Sequence, residues 1–364
     1  MKVIFFGSTS DSVLVLEKLR VPVCAVVTQP PRPVGRKQVL TPTPVEIWAK
    51  SHAIPTLSFS SNPDKPWVYE SEMQVIDTLQ PLKADILISA CYGQKIPWKA
   101  INESRFVGLN VHPSLLPRWR GADPVPWAIL TGDHQTGVTI VTLSEKFDDG
   151  RIIAQKKISI TDTDTSDTLR TKLFTIGAKL LVELLPTYLS SRAKRGDLIQ
   201  EIASSKTPRN DNEPYARRLT REDGFEPWET IQKAFDDPQE AERLDRKFRA
   251  FFPWPGLWSK IKERRLKILK LHIDHEKLVL DEVLWEGKKP IPYSTLLTAA
   301  SGRLLVVVLT AVKKTSLDLR SRAGLSCPEL SLPRAEDCAG GWTYKRDGSG
   351  CLAFFCEAKA EVKK

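Results

Sequence analysis

Short apolar runs alternate with segments of helical periodicity throughout the first half of the chain, and this alternation limits the fold more than any other feature. Val3 to Phe6 is a strand-length run closed by Gly7, and residues 10–19 carry leucine and valine at helical spacing behind a Ser/Asp start. Residues 23–27 form a second buried run, stopped by three prolines within 28–33. Further strands are expected at 86–90, 107–111 and 138–143. An α/β chain of this kind buries its strands on both faces, which predicts a Rossmann-like, mainly parallel sheet covered by helices. In such sheets ligands gather at the carboxyl ends of strands. Asn110 and His112 stand where one strand runs out and Asp148 follows the end of another, so the three can converge.

The chain has 364 residues, too many for one ordinary core. Residues 166–189 read as a helix with Leu169, Leu173, Ile176, Leu180, Leu184 and Leu185 on one face. Residues 192–212 are polar and interrupted by Pro208, as a linker would be. A helix at 241–251 follows, then strand-like runs at 257–261, 266–273, 277–284 and 304–309, the pattern of a small OB-like β-barrel. The expected parts are a catalytic domain at 1–190, a linker at 191–212, a β-barrel domain at 213–315 and a tail of unknown structure at 316–364. No run reads as long and apolar enough to cross a bilayer, and the N-terminus lacks secretory and organellar patterns, so a cytoplasmic setting without membrane contact is expected.

The net charge of +10 favours an anionic partner, nucleic acid first. Cys24 and Cys91 read as core residues. Cys327, Cys338, Cys351 and Cys356 crowd toward the C-terminus without paired CxxC spacing, so no metal is expected there, and a reducing cytoplasm disfavours disulfides.

The most informative stretch is GLNVHPSLLPRWRG, residues 108–121. Two residues apart on a strand, Asn110 and His112 project from the same face. An amide NH2 can donate to the oxyanion of a tetrahedral intermediate and an imidazole can move a proton, which suits acyl transfer. A carboxylate beside the imidazole would orient it and favour its charged form, and the turn FDDG offers both Asp148 and Asp149. An Asn and a His on a strand end do not, by themselves, separate a catalytic pair from a structural one.

The run from Gly108 to Ile153 resembles the core signature of the 10-formyltetrahydrofolate-dependent formyltransferase family: Asn-x-His, SLLP, a TGVT strand and an acidic-Gly turn fall in order. The resemblance implies that Asn110 stabilises the oxyanion, His112 is the general acid/base and Asp148 is its carboxylate partner. Asp149 would then be the substituted middle residue of the turn. It implies 10-formyltetrahydrofolate as formyl-donor co-substrate, with Ser114, Leu115, Leu116 and Pro117 in the folate-contacting segment and Tyr92 and Gly93 lining the pterin pocket. Gln94 and Lys95 are more polar than that pocket leads one to expect. The Leu116–Pro117 bond, in a tight turn, invites the cis isomer, because prolyl bonds adopt it at little cost.

Residues 28–45, TQPPRPVGRKQVLTPTPV, resemble the basic loop of the family branch that formylates initiator methionyl-tRNA. By that resemblance Arg36 would meet the acceptor end of the tRNA, with Arg32 and Lys37 beside it. RAFFPWPGLW, residues 249–258, resembles the opening of the same branch's second domain, and its Phe252, Trp254 and Trp258 are expected to anchor the barrel core. Basic residues cluster after the linker, from Arg217 and Arg218 to Lys270, where a charged flank could track an RNA backbone. The expected partners are therefore initiator methionyl-tRNA and the folate, with the chain acting as a monomer. A small-amine formyltransferase and a catalytically silent RNA-binding relative are the competing readings. GSTSDSV and FEPW depart from the family's usual Gly-Thr-Pro and Ile-Asp-Trp patterns, and residues beyond about 315 match nothing in it.

Overall fold

The expected strands form and assemble around the middle of the chain. The computed structural model describes residues 1–35, 37–104, 106, 108–190 and 213–299, and the backbone of 342–346 and 352–356. Residues 1–292 make one compact unit and residues 293–364 a second.

The first unit begins with β1 (Val3–Phe6), α1 (Ser10–Leu16) and β2 (Val23–Val27). Thr9 and Ser12 close a reciprocal capping box at the start of α1, satisfying backbone N–H groups that the helix itself cannot. A hairpin of β3 (Arg32–Val34) and β4 (Val39–Thr41) follows, then α2 (Pro44–Ser51), β5 (Thr56–Leu57), α3 (Glu72–Leu79), β6 (Ile86–Ser89) and α4 (Trp98–Glu103). Next come β7 (Leu109–His112), β8 (Arg120–Gly121), α5 (Pro124–Leu130), β9 (Gln135–Thr142), β10 (Ile152–Ser159) and α6 (Ser166–Ser190).

Seven strands form one sheet in the order β10-β9-β7-β6-β1-β2-β5. From β5 to β7 every pairing is parallel, and β9 and β10 close that edge antiparallel. The expectation of a mainly parallel sheet holds, and the strand at 152–159 is an addition to it. One face is covered by α1 and α6, whose Val15, Leu169, Leu173 and Phe174 are fully buried with Phe5, Ile88 and Val111. The helix α6 is long and apolar enough to span a membrane, contrary to the reading that only strand-length apolar runs occur, but its apolar face lies on the sheet. On the other face α3 and α4 pack over Ile4, Phe6 and Leu87. The 28–45 loop is the exposed β3–β4 hairpin, with Val34, Val39 and Leu40 in solvent.

After residue 212 the chain forms β11 (Tyr215–Ala216), which pairs in parallel with β8. Then come α7 (Trp228–Lys233), α8 (Pro238–Phe251), β12 (Trp258–Ile261), β13 (Arg264–Asp274), β14 (Lys277–Trp285) and β15 (Ile291–Pro292). The four strands form one antiparallel sheet in chain order. The helix α8 packs on both α5 and this sheet, with Leu244, Ala250 and Phe251 buried. Glu226, in the FEPW segment, is buried and accepts from Arg243 and Lys247, each at 2.6 Å. Of the three aromatics expected in the barrel core only Trp258 is there. Phe252 and Trp254, in the FPWP segment between α8 and β12, are 38% and 55% exposed. The strand expected at 304–309, which barrel closure would need, lies outside the described residues, as does the linker.

In the second unit, α9 (Tyr293–Ala299) and a hairpin of β16 (Trp342–Arg346) and β17 (Leu352–Cys356) are described. The thiols of Cys327, Cys338, Cys351 and Cys356 fall outside the described residues.

Candidate active site

Asn110 and His112 leave the same face of β7; Asn110 is paired with both β6 and β9 and His112 with β9, which fixes their backbone. Asp148 reaches them from the turn after β9. Its φ of 52° is a left-handed conformation that Asp tolerates better than most residues. The turn is pressed against the end of β9: a Cβ on Gly150 would lie 1.8 Å from the Thr142 carbonyl oxygen, so only glycine fits there.

Asp148 is the hub of the arrangement. Its Oδ1 accepts from Asn110 Nδ2 at 3.3 Å and lies 3.3 Å from His112 Nδ1, while its Oδ2 accepts the Gly121 N–H at 3.2 Å. Asp149 faces elsewhere, 3.4 Å from an Arg120 guanidinium nitrogen. The carboxylate that meets the Asn/His pair is therefore Asp148. His112 is buried, and its Nε2 lies 3.0 Å from the Trp119 carbonyl oxygen. Both ring nitrogens thus face acceptors, an environment that favours the imidazolium. Burial alone would lower the His112 pKa, but the Asp148 charge and hydrogen bond and the Trp119 carbonyl outweigh it and raise the value. Burial would likewise raise the Asp148 pKa, yet the His112 charge, its hydrogen bond, the Gly121 N–H and Arg120 hold it below the ordinary range.

The three side chains line a cleft of about 670 Å³, within the range of small-ligand sites. Tyr92 and Gly93 line the same cleft. Tyr69 Oη–H donates to Tyr92 Oη at 2.8 Å, fixing that ring. Gln94 is 2% exposed at the same wall. Its amide nitrogen donates to Ser61 at 2.9 Å, whereas its Oε1 is buried with no partner among the described residues. Cys91, expected in the core, is half-buried at the cleft, where burial pushes its thiol up to about 12.

Ser114, Leu115, Leu116 and Pro117 lie next to the cleft-lining Pro113 and are not themselves among the residues that line the cleft. Ser114 and Leu116 are buried, and the run is strapped to the sheet. Thr139 donates to the Ser114 carbonyl at 2.6 Å and accepts from the Leu116 N–H, and Gln155 donates to the Leu116 carbonyl at 2.9 Å. The Leu116–Pro117 bond is cis. Those tethers turn the run inward and set the Trp119 carbonyl and the Gly121 N–H against the catalytic pair. Arg32 and Lys37 are exposed on the β3–β4 hairpin, and Arg36 lies outside the described residues.

Many post-linker cations are engaged internally: Arg217 with Asp223, Arg243 and Lys247 with Glu226, Arg246 with Glu242 and Arg249 with Asp245. Arg264 and Arg265 lie over the rings of Trp285 and Trp258. That reduces the RNA-tracking flank expected there. Sequence reasoning missed that Tyr215, Arg217 and Arg218 line the same cleft as Asn110, His112 and Asp148. No local pattern announces it, because a two-residue strand pairing across the linker brings them there.

Comparison with known proteins agrees with this geometry. Residues 1–185 match the family described as Formyl transferase, and residues 234–308 match Formyl transferase, C-terminal domain. The chain is 37% identical over 279 residues to a methionyl-tRNA formyltransferase of Listeria welshimeri, covering 76% of this chain and 81% of that protein. It is 33% identical over 307 residues to one of Staphylococcus epidermidis, covering 84% and 86%. A crystal structure of a HypX variant from Aquifex aeolicus shares the fold, with a TM-score of 0.52 at 14% identity over 95% of this chain and 52% of that one.

Proposed function

Because the chain belongs to the formyl transferase family, we propose that it transfers the formyl group of 10-formyltetrahydrofolate to the α-amine of initiator methionyl-tRNA. The observation that carries the chemistry is the contact of Asn110, His112 and Asp148 at the cleft wall. The acceptor is supported by similarity to methionyl-tRNA formyltransferases that extends through both matched regions.

In this reading the amine attacks the formyl carbon and forms a C–N bond. Asn110 turns its amide N–H from Asp148 to the developing oxyanion, which it stabilises by a hydrogen bond available only as charge appears. The attacking nitrogen loses a proton to His112 in its neutral form, and Asp148 stabilises the imidazolium that results. The pair returns a proton to the folate nitrogen as that bond breaks, leaving a formylated amine and tetrahydrofolate. Asp148 keeps His112 charged when required, and the Trp119 carbonyl holds the ring in place.

The folate's fused ring is assigned to the wall of Tyr92 and Gly93 on the resemblance of that segment and on its place in the cleft. Ser114–Pro117 serve the site as the strap behind His112. Arg32, Arg36 and Lys37 are assigned to the tRNA acceptor arm on the resemblance of their loop. A monomer in the cytoplasm, with a catalytic part at 1–190 and a tRNA-binding part at 213–315, completes the reading.

Incubation with 10-formyltetrahydrofolate and either charged initiator tRNA or small amines tests it. Formyl transfer to methionyl-tRNA is expected. Formylation of a sugar nucleotide or purine precursor alone refutes the acceptor, and no turnover with any acceptor refutes the enzyme.

A further inference from the structure

The Trp119 carbonyl that meets His112 Nε2 at 3.0 Å belongs to a residue with φ of 60°. A bulky aromatic rarely adopts that left-handed conformation, which persists only where its surroundings hold it. Two backbone contacts help: the Trp119 N–H donates to the Pro214 carbonyl at 3.2 Å, and Ser114 Oγ donates to the Arg118 carbonyl at 2.8 Å. The side-chain contacts converge on Asp133, in the loop between α5 and β9. Its Oδ2 accepts from the Trp119 indole N–H at 2.7 Å and from Arg118 Nε at 3.0 Å, and its Oδ1 accepts from Arg118 Nη2 at 2.7 Å. The Arg118 guanidinium in turn lies over the Trp119 ring, 4.7 Å from its centroid.

That carboxylate is itself fixed. The Asp133 N–H donates to the Ala128 carbonyl at 3.0 Å, and Thr131 Oγ1 donates to Asp133 Oδ1 at 3.3 Å. Burial would raise the Asp133 pKa, but the Arg118 and Trp119 donors outweigh it and hold the value below the ordinary range. The Trp119 ring packs with Ala128 and Ala216, so indole and carboxylate meet at a buried joint. On the other side of Trp119, its carbonyl oxygen can only accept, and the ring nitrogen facing it donates. The Nε2 proton of His112 is therefore tied up against backbone. Nδ1, beside Asp148 and Asn110, is left as the nitrogen that can exchange a proton with a ligand.

Resting on the function proposed above, we propose that Asp133 is a positioning residue of the reaction. It anchors the Trp119 indole so that the Trp119 carbonyl keeps hold of His112 Nε2–H and leaves Nδ1 to move the proton. Asp133 is outside the cleft lining and reaches His112 through Trp119. With the indole released, residue 119 relaxes toward an ordinary φ and its carbonyl swings off the imidazole. The ring then loses the partner that fixes its orientation, as happens when the outer partner of an oriented histidine is removed. The loss falls on proton transfer and leaves binding of either substrate alone, so it belongs to kcat.

NMR of the full chain with 15N-labelled histidine tests the link directly, the His112 signals being assigned by their absence in His112→Asn. The parent should show a His112 Nε2–H that is hydrogen-bonded and slow to exchange with water. Trp119→Phe removes the indole N–H and keeps an aromatic ring; Asp133→Ala removes the acceptor. Each should lose that protected signal, and in steady-state formylation of methionyl-tRNA each should lose up to about a hundredfold in kcat, with both KM values unchanged. The double variant should lose no more than either single one, because both cut the same link. Trp119→Phe keeps the test decisive should Asp133→Ala fail to fold in a thermal melt. A parent without the protected Nε2–H, its survival in Trp119→Phe, additive losses, or losses confined to KM overturns the role. A parent protein that formylates no acceptor refutes the underlying function instead, and the Nε2–H signal still decides the link from Asp133 to His112.

Discussion

Asp148→Asn is the most exacting test of the site, because the structure states what the change removes. The carboxylate accepts from Asn110 and Gly121 and faces His112 Nδ1, all at 3.2–3.3 Å. An amide keeps one accepting oxygen and turns an NH2 toward either the Asn/His edge or the Gly121 N–H, so at least one donor meets a donor. The negative charge that sustains the imidazolium is also lost. Positioned general acid–base catalysis is worth about 10²–10⁴ in rate, or roughly 3–5.5 kcal/mol of barrier, and kcat should fall by that range. Asp149→Asn is the matched control. It loses only a half-exposed pair with Arg120 at 3.4 Å, worth about 0–1 kcal/mol, and should stay within about fivefold of the parent. The assay is single-turnover formylation of methionyl-tRNA across pH. Asp148 raises the His112 pKa in the folded state, so the limb belonging to His112 should move to lower pH in Asp148→Asn and stay put in Asp149→Asn. Asp148→Asn activity above about a tenth of the parent's, or equal losses in the two variants, would refute the assignment.

Gly121→Ala should reduce both Tm in a thermal melt and kcat, since Gly121 has φ 116° and a Cβ there would lie 2.4 Å from the Ala216 carbonyl oxygen. Arg36→Ala should raise KM for methionyl-tRNA without changing the folate KM in steady-state assays. Asp223, held by Arg217, has its pKa lowered from 3.8 to about 2. A depressed carboxylate stabilises the fold above its unfolded value and loses that contribution as pH falls through its folded one. Denaturant melts should therefore show stability dropping between about pH 4 and 2, less steeply in Asp223→Asn.

Periodicity and spacing exposed the architecture because they are local properties. The apolar run of Val3 to Phe6, the leucine face of α6 and the shared face of Asn110 and His112 each follow from side-chain direction within one element. What escaped depends on contacts between distant residues. The FDDG turn offers two carboxylates, and only the close fit of Gly150 on Thr142 decides which of them faces His112. Ser114–Pro117 carry the family's signature, yet their tethers to Thr139 and Gln155, on β9 and β10, show in no local pattern. Composition marked Phe252 and Trp254 as core, while both stand exposed in the FPWP segment.

The parallel pairing of β8 with β11 ties the segments on either side of residues 191–212 to one another by contacts of their own. Around that seam, Leu219 donates its N–H to Asp123 at 2.7 Å, Trp127 Nε1 donates to the Arg217 carbonyl at 2.8 Å and Ser166 bonds the Ala250 carbonyl at 2.5 Å. None of these contacts runs through the peptide bonds of 191–212. Were the backbone cut there, the two fragments would meet at the strand pair that carries Gly121, the residue whose N–H Asp148 accepts. Reconstituted from separate polypeptides, the enzyme's turnover would depend on the product of two fragment concentrations, and acceptor RNA bridging both pieces would favour their association.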